Sequence, residues 1–144
     1  LVIIMKYKYL EHTADIKFKA FGKTINEVFE NTVLAVSSVI SDGKIHSVKG
    51  KTINVTGNDQ ESLLYNFVEE ILYLLDAEDF VTCKAVVTIR GNNLKADLYG
   101  DKASKYNGLE HVKSPTYAEM HIKKIKNNKK NESDYWEIQM VLDV

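Results

Sequence analysis

The chain has 144 residues, 44% of them hydrophobic and 27% charged, with a formal net charge of −1. These values describe one ordinary globular domain, residues 1–144, with enough apolar residues to bury a core. They exclude a protein that coats nucleic acid by bulk charge, and with Arg90 as the sole arginine, bidentate arginine readout of bases or phosphates is nearly unavailable.

Leu1-Val2-Ile3-Ile4 is apolar but too short for a signal peptide, so Met5 reads as a plausible start and residues 1–4 as an upstream extension. Residues 5–10 alternate lysine and tyrosine and read as a strand. Glu11 to Asp15 is a break, and 16–21 is a second strand closed by Gly22. Thr24 followed by Glu27 is a capping box. Apolar residues at 25, 28, 29, 33, 36, 39 and 40 then recur at helical spacing, and Ser41-Asp42-Gly43 stops that helix. Residues 45–56 alternate loosely and predict one or two short strands. Asn58 or Asp59 caps a second helix whose stripe, Leu63 to Leu75, is wide enough to be the most buried element. Glu69, Glu70, Asp76, Glu78 and Asp79 make its far half acidic, a solvated face or a docking surface for a basic partner.

Residues 81–90 and 94–99 read as strands joined by a Gly91-Asn92 turn. Cys83 falls inside the first of them as a buried, inert thiol. A lone cysteine rules out a disulfide framework and fits a reducing cytosol. Residues 100–108 form a polar surface loop. Pro115 suits a strand start or an edge, 116–125 alternate as strand, and 135–143 are the final strand. Between the last two lies a basic loop tip, 123–130, solvated or offering an electrostatic handle for RNA or an acidic partner. No apolar run reaches the ~18 residues of a membrane helix. The pattern is α+β: mostly antiparallel sheet, about six to eight strands, with two helices packed on one side.

No phosphate-binding glycine loop, serine elbow or paired metal-binding histidine spacing occurs. The informative feature is oxygen chemistry at the two ends. Asp143 and the terminal carboxylate of Val144 lie at the end of the last strand, and Asp15 at the start of an early one. If the first strand lies beside the last, three hard oxygen donors converge, which suits Ca²⁺, Mg²⁺ or Mn²⁺. Strand parity places Asp143 with Glu137 and Gln139, and Asp15 with Lys17 and Lys19, on polar faces. A solvated chain end for Asp143 and a turn cap for Asp15 are the plain alternatives. His12, three residues before Asp15, is a candidate general base if the carboxylates serve metal-assisted hydrolysis.

His12-Thr13-Ala14-Asp15-Ile16, then Phe21-Gly22-Lys23-Thr24 with Val28-Phe29-Glu30-Asn31, resembles the opening of the archease family. So do Leu64 to Asp76, Val112-Lys113-Ser114-Pro115-Thr116-Tyr117 and the closing Leu142-Asp143-Val144. The resemblance implies a small cytoplasmic protein of tRNA processing that is not itself an enzyme. It implies a partner, the GTP-dependent tRNA-splicing ligase, whose guanylylation and multiple turnover such proteins promote. GTP and RNA are then met only through the ligase, and no membrane is involved. It implies a divalent cation, Ca²⁺ in a crystal or Mg²⁺ or Mn²⁺, on Asp15, Asp143 and Val144. Lys113, and His12 at the head of the motif, are the expected partner-contact residues. The chain departs from the family pattern at Gly100-Asp101 with its lysine-rich loop, and at Ala118, where a histidine is common. A metal-dependent phosphohydrolase and a chaperone-like RNA-binding module using 123–130 are the alternative readings.

Overall fold

The computed structural model describes residues 5–10 and 15–144. In chain order the elements are β1 (Tyr7–Leu10), β2 (Ile16–Gly22), α1 (Ile25–Ile40), β3 (Lys49–Thr56), α2 (Gln60–Glu78), β4 (Phe80–Arg90), β5 (Asn93–Lys102), β6 (Ser114–Ile125) and β7 (Tyr135–Asp143). A short 3₁₀ turn, Ala103–Lys105, follows β5. The strands form two antiparallel sheets, ordered β1-β2-β7-β6 and β3-β5-β4. The α+β expectation holds, with a single strand in the 45–56 region.

Both helices begin as the sequence predicts. The Thr24 hydroxyl accepts from Glu27 N–H, and Asp59 makes a reciprocal capping box with Ser62. Each cap follows a glycine by two residues. A Cβ on Gly22 would lie 2.5 Å from Val28 N, and one on Gly57 2.5 Å from Leu63 N. The incoming chain and the first helical turn are therefore in backbone contact at the start of each helix, and only glycine leaves the room.

The two sheets and both helices share one core. Phe18, Ala20, Ile138, Met140 and Leu142 from the larger sheet are fully buried. They join Leu94, Ala96 and Leu98 of the smaller sheet and Val36, Phe67 and Val68 of the helices in the same cluster. Val141 is also fully buried, yet its strand parity points it the other way. Its cover is a wide bulge in β6. Thr116 pairs Val141 and His121 pairs Gln139, so the four residues between face a single partner position. Within the bulge Glu119 adopts φ 54°, accepts from Lys17 Nζ at 3.0 Å and from Gln139 Nε2 through its carbonyl at 2.8 Å. Residues 116–125 therefore depart from simple alternation.

β4 is an edge of the smaller sheet, and an uncovered edge strand is a template for unwanted pairing. Here α1 covers it with side chains. Glu30 Oε2 accepts from Val87 N–H at 2.7 Å, and Asn26 Oδ1 from Ile89 N–H at 3.0 Å. Positions four apart on a helix thus match positions two apart on a strand. Cys83, expected to be buried, is half-buried, and burial pushes its thiol pKa up.

Replacing Glu30 with alanine leaves the Val87 N–H without its partner. The expected cost is about 1–3 kcal/mol, read as a lower midpoint in urea denaturation with an unchanged slope.

Candidate functional site

β2 and β7 pair along their full length, from Gly22 opposite Trp136 to Ile16 opposite Leu142. Asp15 directly precedes the last of these pairs and Asp143 directly follows it. The partner of β7 is the second strand, not the first; β1 lies beyond β2 at the sheet edge. On the other side of β7, Ser114 pairs Asp143, and Lys113 N–H donates to the Asp143 carbonyl at 2.8 Å. Asp15, Asp143 and Lys113 therefore come to one end of one sheet from three separate parts of the chain. His12 lies outside the described residues.

Asp15 is half-buried and lines an open groove of about 420 Å³ with Tyr9, Leu10, Ile16, Ser38, Val39 and Asp42. Asp42 is a second carboxylate at this place. In sequence it is only a helix stop, and no spacing ties it to Asp15. The groove abuts the C-terminal end of α1, whose last turn holds no basic residue. The negative end of the helix dipole is left uncompensated there and adds to the carboxylates. The chemistry is that of hard oxygen donors in a negative field, which fits a divalent cation and does not fit an anion. Among the described residues no group of three or more His, Cys, Asp or Glu side chains forms a ready-made metal cage. Asp143 and Val144 do not line this groove, and a cation in it would need main-chain oxygens to complete its shell.

The connection that carries Lys113 is fixed at both ends. Near its C-terminal end, Glu110 N–H donates to Ile40 O at 2.8 Å, and Val112 is buried in the core. At its start, Asp101 is buried and accepts from Tyr106 Oη at 2.8 Å, from Lys102 N–H at 2.8 Å and from Lys105 Nζ at 3.2 Å. Burial alone raises the Asp101 pKa. The three donors outweigh it and hold the carboxyl below its ordinary range. Tyr106 Oη in turn accepts from His46 N–H at 2.9 Å. The sequence at 100–108 reads only as a polar loop; the buried aspartate that organises it carries no local signal.

The outward face of the larger sheet is not simply solvated. Glu137 is buried between His121, 2.7 Å away, and Lys19, 3.4 Å away. Lys17 pairs with Glu119. His111 lies 3.8 Å from Asp76 on the acidic face of α2. No helix among the described residues is long and apolar enough to cross a membrane.

The model of the Archease protein family (MTH1598/TM1083) matches residues 7–144. "Protein archease" of Methanosarcina acetivorans is 37% identical over 147 residues, covering 96% of both chains. The protein of the same name from Pyrococcus abyssi is 36% identical over 146 residues, covering 96% of this chain and 99% of its own. The fold is shared with the solution structure of protein 1598 from Methanobacterium thermoautotrophicum, with TM-score 0.72 at 24% identity over 96% of this chain and 99% of that one. It is shared also with a crystal structure from Thermotoga maritima described as an archease, possible chaperone, with TM-score 0.61 at 17% identity over 95% and 96% of the two chains.

Because the folded-state pKa of Asp101 is depressed, its contribution is complete above the unfolded value of about 3.9 and is lost as pH falls through the lower folded value. Melting temperature should therefore drop over that acid window. Asp101→Asn should lower stability at neutral pH and flatten the acid limb; thermal melts from strongly acidic to neutral pH check both.

Proposed function

The chain belongs to the archease family, and from that premise we propose that it is a non-catalytic, metal-binding activator of a GTP-dependent tRNA-splicing RNA ligase. The observation that carries this reading is the register of β2 with β7, which brings Asp15 and Asp143 to one sheet end beside Lys113. Partners directly opposite in an antiparallel ladder have Cβ atoms roughly 4.5–5.5 Å apart. Carrying the register one step past Ile16 and Leu142 sets Asp15 across from Asp143, and two carboxylates at that spacing, completed by a terminal oxygen of Val144, would suit one hard cation. A cation held there would supply positive charge to a triphosphate or to a ligase carboxylate.

The other contributions come from the chain itself. Asp15 and Asp143 fix where positive charge sits. Lys113, exposed and held by a connection anchored at Ile40 and Asp101, presents an ammonium as a second point charge. Guanylylation of a histidine by GTP is limited by positioning and by charge on the transferring phosphoryl group. A small protein that docks over such a site, aligns the triphosphate and leaves would raise both the single-turnover rate and the number of turnovers. The description of the Thermotoga relative as a possible chaperone supports a protein partner in general terms. His12, three residues before Asp15 in sequence, stands in this reading as a contact residue. On this reading the protein works in the cytoplasm, alongside its ligase.

Asp15→Ala, Asp143→Ala and Lys113→Ala should each slow stimulated single-turnover guanylylation of the ligase by tenfold or more, about 1.4 kcal/mol of barrier. Calorimetric titration with Ca²⁺ or Mn²⁺ should lose its signal in the two aspartate variants and keep it in Lys113→Ala. Full stimulation by all three variants would end the proposal.

A further inference from the structure

The two sheets treat their outer faces differently. On the larger sheet Lys17 and Lys19 are each neutralised by a glutamate, and the β6 bulge lies over part of the face. On the smaller sheet the outer face stays open. Lys84, Val86, Thr88 and Arg90 of β4 alternate outward and all are exposed, Val86 at 54%. Asn93 and Lys95 of β5, and Thr52, Asn54 and Thr56 of β3, extend the same exposed surface. Neither Arg90 nor Lys95 has an ion-pair partner among the described residues. The acidic side chain on this face, Asp97, accepts from the Thr52 hydroxyl at 2.8 Å. Glu30, beside it at the β4 edge, is occupied by Val87 N–H.

The distribution along the sheet has a pattern. At one end Arg90 and Lys95 flank an open groove of about 560 Å³ whose other polar walls are Asn54, Thr56, Thr88 and Asn93. At the other end, on the central strand, Tyr99 is half-buried with its ring between Gly50 and Lys84. Lys84 Nζ lies 5.5 Å from the ring centroid. The strand from Lys84 to Arg90 covers about 20 Å. Cations therefore stand at both ends of a surface of amides, hydroxyls and one aromatic ring, with Val86 and the hydroxyl-bonded Asp97 carboxylate between them.

We propose that this open face of the β3-β5-β4 sheet binds single-stranded RNA. The phosphates would run past Lys95 and Arg90, a base would stack on Tyr99 in place of the Lys84 ammonium, which would turn to a phosphate, and the groove at the Arg90 end would take a nucleoside. An acidic peptide would use the cations alone. Amides that read base edges, threonine hydroxyls that meet the ribose 2′-hydroxyl, and an aromatic ring suit RNA better. Antiparallel sheets with a central aromatic and flanking cations are a recurring platform for unstacked bases. A near-neutral chain can do this because the charge is local: acids gather on the far half of α2, and Arg90 and Lys95 on this sheet are left unpaired. This face is separate from the Asp15 and Asp143 end, and the proposal does not rest on the ligase reading.

The test uses fluorescence anisotropy of a labelled oligouridylate with the full chain and no ligase. Binding should weaken with salt between about 50 and 200 mM, with a log–log slope of about −2 for three phosphate contacts. Lys95→Glu and Arg90→Glu should each weaken binding by roughly tenfold and reduce the slope by about 0.7 or more. Tyr99→Leu should weaken binding and leave the slope unchanged, and Tyr99→Phe should restore it. Melting temperatures identify any variant that fails to fold, and the two surface charge reversals keep the test decisive in that case. No binding at low salt would overturn the proposal. So would equal binding of oligothymidylate or polyglutamate, or a loss caused by neutralising Lys126, Lys129 and Lys130 and not by the sheet variants.

Discussion

Ile16 lies opposite Leu142 and Gly22 opposite Trp136, so a strand near the start of the chain is laced to the strand at its end. The rest of the molecule hangs on that pairing. Closing a loop of this length costs on the order of 4 kcal/mol, and burying one large apolar side chain returns about 1.5–3 kcal/mol. Phe18 and Met140, opposite one another and both fully buried, match the closure term between them. The remaining rows of the two strands, and the core they face, then decide in favour of the pairing. Its functional consequence is positional. Carboxylates distant in sequence become neighbours because the apolar rows beside them must be.

The helices do more than cover apolar faces. α1 reaches the smaller sheet through Asn26 and Glu30, which take the free N–H groups of the β4 edge. It reaches the larger sheet through Asn31, whose Nδ2 donates to Phe21 O at 2.6 Å. One helix thus ties two sheets together with polar side chains that a helical wheel assigns to solvent or to its margin. The C-terminal end of the same helix borders the groove at Asp15 and receives Glu110 N–H from the connection to Lys113. The candidate groove is therefore bordered by a helix that is itself held at both sheets.

The outer faces of the two sheets show how the same composition serves opposite ends. Lysine and glutamate alternate across β2, β7 and the β6 bulge, and their pairs seal a buried Val141 and a buried Glu137. On the outer face of β4 and β5, Arg90 and Lys95 have no such partners among the described residues. Net charge near zero conceals this difference, because it averages a paired surface with an unpaired one.

Local chemistry determined much that the structure contains. The caps at Thr24 and Asp59, the apolar stripes of both helices, the turn at Gly91 and the alternation in 81–99 follow from dihedral preference, spacing and period, all of which act within a few residues. The donor types of the candidate site were also legible, since carboxylate and carbonyl oxygens declare their preference for hard cations anywhere in a chain. Tertiary structure alone decided which strand lies beside the last one, that Asp42 shares a groove with Asp15, that Asp101 is buried beneath Tyr106, and that residues 117–120 bulge over Val141. Each of these depends on which apolar surfaces meet. That is settled by the packing of the whole core and leaves no trace in the few residues on either side.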